Sequence, residues 1–226
     1  MKHSSRLVTL ALIGGTAAVS NAASIVANYS FDLLQTVNLS VASNPYSFNA
    51  ARISGVRTGG TTTLLPGPSY AFRTYCVELG QVINSGSQTH PNVTPLLGST
   101  TDTGGITGPI LFDATRTDRL ERLWGSFFPW IGNSQTNSTA FQLAQWEISF
   151  DSDLNLATGN FQSADAVSSV AQSLLNDIST GAASAKQRLL LLSGPGLQDQ
   201  VTPVPEPGTM LALGVGLSAI LRRRKR

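Results

Sequence analysis

Short alternations of apolar and polar residues dominate the first third of the chain. "TVNLSV" (Thr36–Val41) alternates strictly, and "FNAARISGV" and "YAFRTYCVEL" mix β-formers with polar neighbours. This pattern predicts strands between Ser24 and Leu79, broken by the glycine- and proline-rich "RTGGTTTLLPGPS". Gly80 to Gly108 is polar and turn-rich, which predicts a surface loop or irregular excursion. Helical spacing follows. "DATRTDRLERLWGSFF" has an acidic start at Asp113 and places Leu120, Leu123, Trp124 and Phe127 three and four residues apart. After the turn-rich "PWIGNSQTN" come "STAFQLAQWEISFD" and "SADAVSSVAQSLLNDI"; the latter opens on a Ser-x-Asp start and carries Ala166, Val170, Leu174 and Ile178 on one stripe. "RLLLLSG" is a short apolar run, predicted to be a strand returning to the first sheet. Strands, then helices, then a strand define an α+β chain, a β-rich sandwich or barrel with a helical insertion.

The two ends follow different rules. Residues 1–22 read as a secretory signal peptide. Lys2, His3 and Arg6 precede an uncharged apolar run from Leu7 to Val19, and Ser20-Asn21-Ala22 supplies small residues for signal peptidase, with cleavage after Ala22. At the other end, Pro205-Glu206-Pro207 is followed by an apolar stretch from Thr209 to Leu221 and by Arg222, Arg223, Arg224, Lys225 and Arg226. The stretch is shorter than the roughly 20 residues of a comfortable membrane span. A basic cluster at its end nevertheless predicts a short transmembrane helix with its charges on the cytoplasmic side. Residues 23–202 are then an extracellular body and residues 203–226 a sorting tail.

Removing both ends reverses the charge. The whole chain has 15 basic and 13 acidic residues, but two of the basic residues lie in the leader and five in the tail. The body carries the other eight, among them Lys186 as its one lysine, against acidic residues spread from Asp32 to Glu206. The basic surplus therefore belongs to targeting and gives no support to nucleic-acid binding.

The tail resembles the PEP-CTERM sorting signal of bacterial surface proteins, in its order of Pro205-Glu206-Pro207, apolar helix and arginine cluster. That resemblance implies recognition by an exosortase, a membrane protease-transferase, with cutting near the Pro-Glu-Pro. It also implies a Gram-negative envelope, often in a biofilm-forming host that makes exopolysaccharide.

Cys76 is the sole cysteine, in a chain that reads as exported. A lone thiol in that setting is an inert buried hydrophobe, a link to another chain, a nucleophile, or half of another bond. Lipidation is disfavoured because Cys76 lies far from Ala23, the first residue after the leader. A protease dyad would need His90, the only histidine outside the leader, and no third orienting group is evident. A thiol can also attack a glutamine carboxamide, expel ammonia and leave an internal thioester, if the two side chains are in contact and water is kept away.

Two motifs resemble the Cys-Gln thioester domains of bacterial surface adhesins. Tyr75-Cys76-Val77 matches an aromatic-Cys-apolar strand end. Phe141-Gln142-Leu143-Ala144-Gln145-Trp146 matches the glutamine motif, except that Gln145 stands where an apolar residue is usual. The resemblance implies Cys76 as sulfur donor and Gln142 as acyl donor, with Tyr75 and Trp146 as shielding walls and Gln145 as the rival glutamine. It implies adhesion through a single covalent event with an amine or hydroxyl, on a protein or an extracellular polysaccharide, rather than enzymatic turnover. The competing reading takes Thr139-x-x-Gln142 as a capping box and Cys76 as core. The chain is then a passive envelope or matrix protein, or a carbohydrate-binding module using Phe128 and Trp130.

No cofactor is implied. "DSDLN" (Asp151–Asn155) alternates metal-ligand types, but Leu156 and Gln162 occupy positions where a calcium loop of the helix-loop-helix kind needs Gly and Glu. It reads as a solvated helix end, with no metal.

Overall fold

The computed structural model describes residues 23–205. Residues 1–22, where a leader is expected, and the tail from Glu206 onward, including Pro207, the apolar stretch and the basic cluster, lie outside the described residues. Among the described residues no helix is long and apolar enough to cross a membrane.

The chain is α+β. Two long strands open it, β1 (Ile25–Val41) and β2 (Asn44–Gly59), paired antiparallel from Val26–Gly59 to Val41–Asn44. They are joined by Ala42 and Ser43 alone, both at positive φ (48° and 67°). That is the two-residue hairpin geometry whose twist matches the strands. Along β1 the partner register advances by one residue fewer between Asp32 and Gln35, and Leu33 is left-handed (φ 54°). This bulge turns Leu34 outward and leaves its carbonyl to accept from Gln135 Nε2.

Strand β3 (Ala71–Cys76) follows, then β4 (Gly86–His90), β5 (Asn92–Pro95) and a small separate ribbon, β6 (Thr100–Thr101) with β7 (Ile110–Leu111). Three helices, α1 (Ala114–Ile131), α2 (Gln135–Phe150) and α3 (Ser168–Thr180), surround the short strand β8 (Phe161–Ser163). The chain returns through β9 (Leu189–Gly194) and β10 (Leu197–Pro203). The main sheet runs β4-β1-β2-β3-β10-β9-β5, with β8 also on β1. Its two outermost strands, β4 and β5, are separated in sequence by Pro91 alone, and Val93 N donates to the Ala23 carbonyl beside β1 (2.6 Å). Edges joined through one residue require the sheet to curl strongly.

Several local expectations need correction. The stretch 80–108 is not a surface excursion: it supplies both outermost strands, because short polar strands with half-exposed faces carry little periodic signal. His90 is wholly buried. α1 runs through Pro129 to Ile131, beyond the expected turn. α3 starts at Ser168 with no side-chain cap, so the Ser-x-Asp start does not form it. By contrast, "RLLLLSG" does return to the first sheet as β9, one place beyond β10, which pairs with β3.

α2 is the centre of the molecule. Its cap is Ser134, whose hydroxyl accepts from Asn137 N (3.2 Å), and every residue from Ser138 to Phe150 is buried. The capping box is therefore overturned: Thr139 and Gln142 lie inside the helix, and Thr139 Oγ1 donates to Gln35 Oε1 (3.1 Å). A helix buried on all sides needs a partner for each polar side chain it carries.

Candidate functional site

Cys76 is the last residue of β3. On the β10 side it is matched with Gln200, but β2 pairs with β3 only as far as Ile53–Thr74. Beyond that pair no strand satisfies the outward N–H and C=O of Cys76, and both are buried. α2 fills the place of the missing strand. Gln142 Oε1 accepts from Cys76 N (3.1 Å), and Gln142 Nε2 donates to Cys76 O (2.8 Å). One carboxamide thus spans the main chain of the cysteine itself, 66 residues away in sequence.

Gln145 is one helical turn further on. Its Nε2 donates to the same Cys76 carbonyl (2.8 Å), while its Oε1 accepts from Trp124 Nε1 (2.8 Å). The two glutamines are therefore inequivalent. The Gln142 carbonyl oxygen faces the Cys76 N–H, and that of Gln145 is held by an indole on another helix.

Aromatic rings enclose the pair. Tyr75 lies 4.9 Å from Phe141 and 5.8 Å from Trp124 between ring centroids, and its hydroxyl bonds Ser138 Oγ (2.8 Å). Burial pushes the Tyr75 phenol well above its usual range. Trp146 forms part of a second wall with Phe48 (6.4 Å). That wall borders a cleft of about 660 Å³ on which Cys76, Phe31, Leu34, Tyr46 and Trp146 open. Gly80 and Gly104 meet there backbone to backbone; a Cβ on Gly80 would overlap the Thr103 carbonyl. No charged side chain lines the cleft.

Burial, and then the nearby Glu78 carboxylate, hold the Cys76 thiol well above its ordinary pKa. Glu78 is itself raised to about 7 by burial, although it accepts from Gly80 N (2.6 Å), Gln81 N (3.0 Å) and Asp199 N (3.2 Å). The resting thiol is therefore neutral, which disfavours a standing thiolate nucleophile. His90 does not pair with it: both ring nitrogens lack a hydrogen-bond partner, and the ring packs edge-on to Tyr29 at 5.6 Å. Phe128 stacks on Trp124 at 4.7 Å and Trp130 is exposed; neither lines the cleft.

The structure thus brings Tyr75, Cys76, Gln142, Gln145 and Trp146 together. It adds Trp124 and Glu78, and it packs Phe141 of the glutamine motif against Tyr75. "CVELG" displayed Glu78 in the sequence, and Trp124 stood in a helical stripe, but nothing local tied either to Cys76. Of the sorting residues only Pro205 is described.

The comparisons bear on the far end of the chain. Residues 203–226 match the PEP-CTERM protein-sorting motif. The tail is a PEP-CTERM signal. It supports an exported, exosortase-processed bacterial surface protein. No curated protein and no solved structure matches the chain.

Proposed function

We propose that the body is a surface-displayed adhesion module in which Cys76 and Gln142 condense to an internal thioester. The observation that carries this reading is the Gln142 carboxamide spanning the N–H and C=O of Cys76 inside a buried, aromatic-walled site. With helix capping assigned to Ser134, Gln142 has no structural task at the helix start.

The chemistry balances within the two side chains. Sγ adds to the Gln142 carbonyl carbon while the Cys76 N–H, already donating to Oε1, stabilises the developing oxyanion. The C–N bond breaks, and the thiol proton leaves with the amide nitrogen as ammonia. The thiol is neutral at rest, so it must give up its proton as Sγ adds, and that proton is the one carried off by the ammonia. Burial then protects the thioester from water. An amine or hydroxyl on a partner, arriving through the cleft, attacks the Gln142 acyl carbon and returns the thiol to Cys76. One link forms per molecule, so the protein is not a turnover enzyme. Export through a leader at 1–22, transient anchoring by the apolar tail and display on a Gram-negative surface or matrix complete the reading. The curled sheet is then a barrel-like scaffold with α1 and α2 as its insertion.

Intact mass spectrometry of the freshly folded protein tests this. The expected mass is one ammonia below the sequence mass, and methylamine both adds its own mass and exposes one thiol. Cys76→Ala and Gln142→Ala each abolish the deficit; Gln145→Ala retains it. An unmodified mass in the wild type overturns the proposal.

A further inference from the structure

Among the polar side chains of the buried helix α2, Glu147 stands out. Ser138, Thr139, Gln142, Gln145 and Ser149 are all hydrogen-bonded. Glu147 is wholly buried, its Oε1 accepts from Asn155 N (2.9 Å), and its Oε2 has no donor. A buried carboxylate oxygen without a donor is costly.

That carboxylate faces two others. Asp151 closes α2 and Asp153 follows it, and one oxygen from each of Glu147, Asp151 and Asp153 lies within 4.8 Å of the rest. Asp151 Oδ1 accepts from Ser152 N (2.8 Å), and its Oδ2 accepts from Asn160 N and Phe161 N (3.3 Å). Asp153 accepts from Asn155 N (3.0 Å) and Thr158 Oγ1 (2.8 Å). Among the described residues no Lys or Arg forms an ion pair with any of the three. The nearby Arg119 instead donates to the Ser152 carbonyl (2.9 Å). Three converging carboxyl groups have only neutral donors around them, and Glu147 meets the Asp153 carboxyl side chain to side chain where a donor or a cation would be expected.

We propose that Glu147, Asp151 and Asp153 form a calcium site. Hard carboxylate oxygens select an alkaline-earth ion over zinc, and their irregular spacing suits Ca²⁺ better than the strict octahedron of Mg²⁺. Asp153 is exposed, which leaves one side open for ion entry and for water to complete the shell. The bound ion gives the Glu147 oxygen its partner and clips the loop 151–160 to α2. The sequence pattern disguised the site: its deepest ligand comes from the helix before the loop, not from the twelfth position after it. The proposal is independent of the Cys76–Gln142 chemistry.

The test is isothermal titration of the chelator-treated full chain with CaCl₂, with MgCl₂ as control, alongside thermal denaturation. The expected result is one Ca²⁺ site, in the roughly 10⁻⁴–10⁻³ M range of extracellular modules, with a rise in Tm on saturation. Glu147→Gln and the exposed Asp153→Asn should each weaken it by about tenfold or more, since ligand charge sets the affinity. Asp153→Asn keeps the test valid if Glu147→Gln fails to fold. Absence of binding at 10 mM (about ten times the weakest affinity expected) overturns the proposal and leaves a proton as the counter-charge on Glu147. Equal binding by wild type and a folded Asp153→Asn variant overturns the assignment to this cluster.

Discussion

Replacing His90 with leucine should remove a defined part of the protein's sensitivity to acid. His90 is wholly buried on β4, and neither ring nitrogen has a partner; the neighbouring Tyr29 hydroxyl also lacks one. Burial alone lowers its pKa to about 4. The ordinary value is near 6.5, and the gap corresponds to about 3 kcal/mol. The sign follows from which state takes up the proton. Between pH 6.5 and 4 the unfolded chain protonates His90 and the folded chain does not, so the stability contributed by this residue falls as pH falls. Other groups act oppositely. Burial raises Glu78 to about 7 and Asp199 to about 6, so the folded state holds their protons more tightly and gains stability as pH falls. The wild-type curve alone therefore does not isolate His90. The difference between wild type and His90→Leu does. Urea denaturation at half-unit steps from pH 7.5 to 4 should show the two proteins close at pH 7.5. The variant should then gain progressively, ending about 3 kcal/mol ahead near pH 4. A difference independent of pH would refute a buried neutral imidazole.

Three further outcomes are expected. Replacing Ala42-Ser43 with Asn-Gly should stabilise the protein by about 1–2 kcal/mol in thermal denaturation, because both positions are left-handed and neither present residue favours that conformation. Gly80→Ala should cost about 1–3 kcal/mol, because the new methyl displaces the Thr103 backbone; urea unfolding checks this, and a neutral result refutes the close approach. Changing Pro205-Glu206-Pro207 to alanines should leave the body exported but held in the membrane fraction with its tail uncut, as read by immunoblot of fractionated cells; normal release contradicts exosortase processing through this tail.

Sequence alone determined what is local. The tail is a linear signal read by order and hydropathy, and it needs no fold to be recognised. Asp113 caps α1 as its position predicts, because a cap depends on its own next three residues. The β-rich start and helical middle follow from side-chain period. The pairing of Cys76 with Gln142 was legible only as a resemblance, and Thr139-x-x-Gln142 equally fitted a helix start. Tertiary structure removed the cap, which is Ser134, and set the Gln142 carboxamide against the Cys76 main chain. β2 leaves β3 at Thr74, so a buried main-chain N–H and C=O at Cys76 need a partner, and α2 is placed to supply it. The same cause hid β4, β5, the buried His90 and the Glu147 cluster. Each is set by which distant segments exclude water together, and burial is a property of the assembled surfaces that no single stretch of sequence carries.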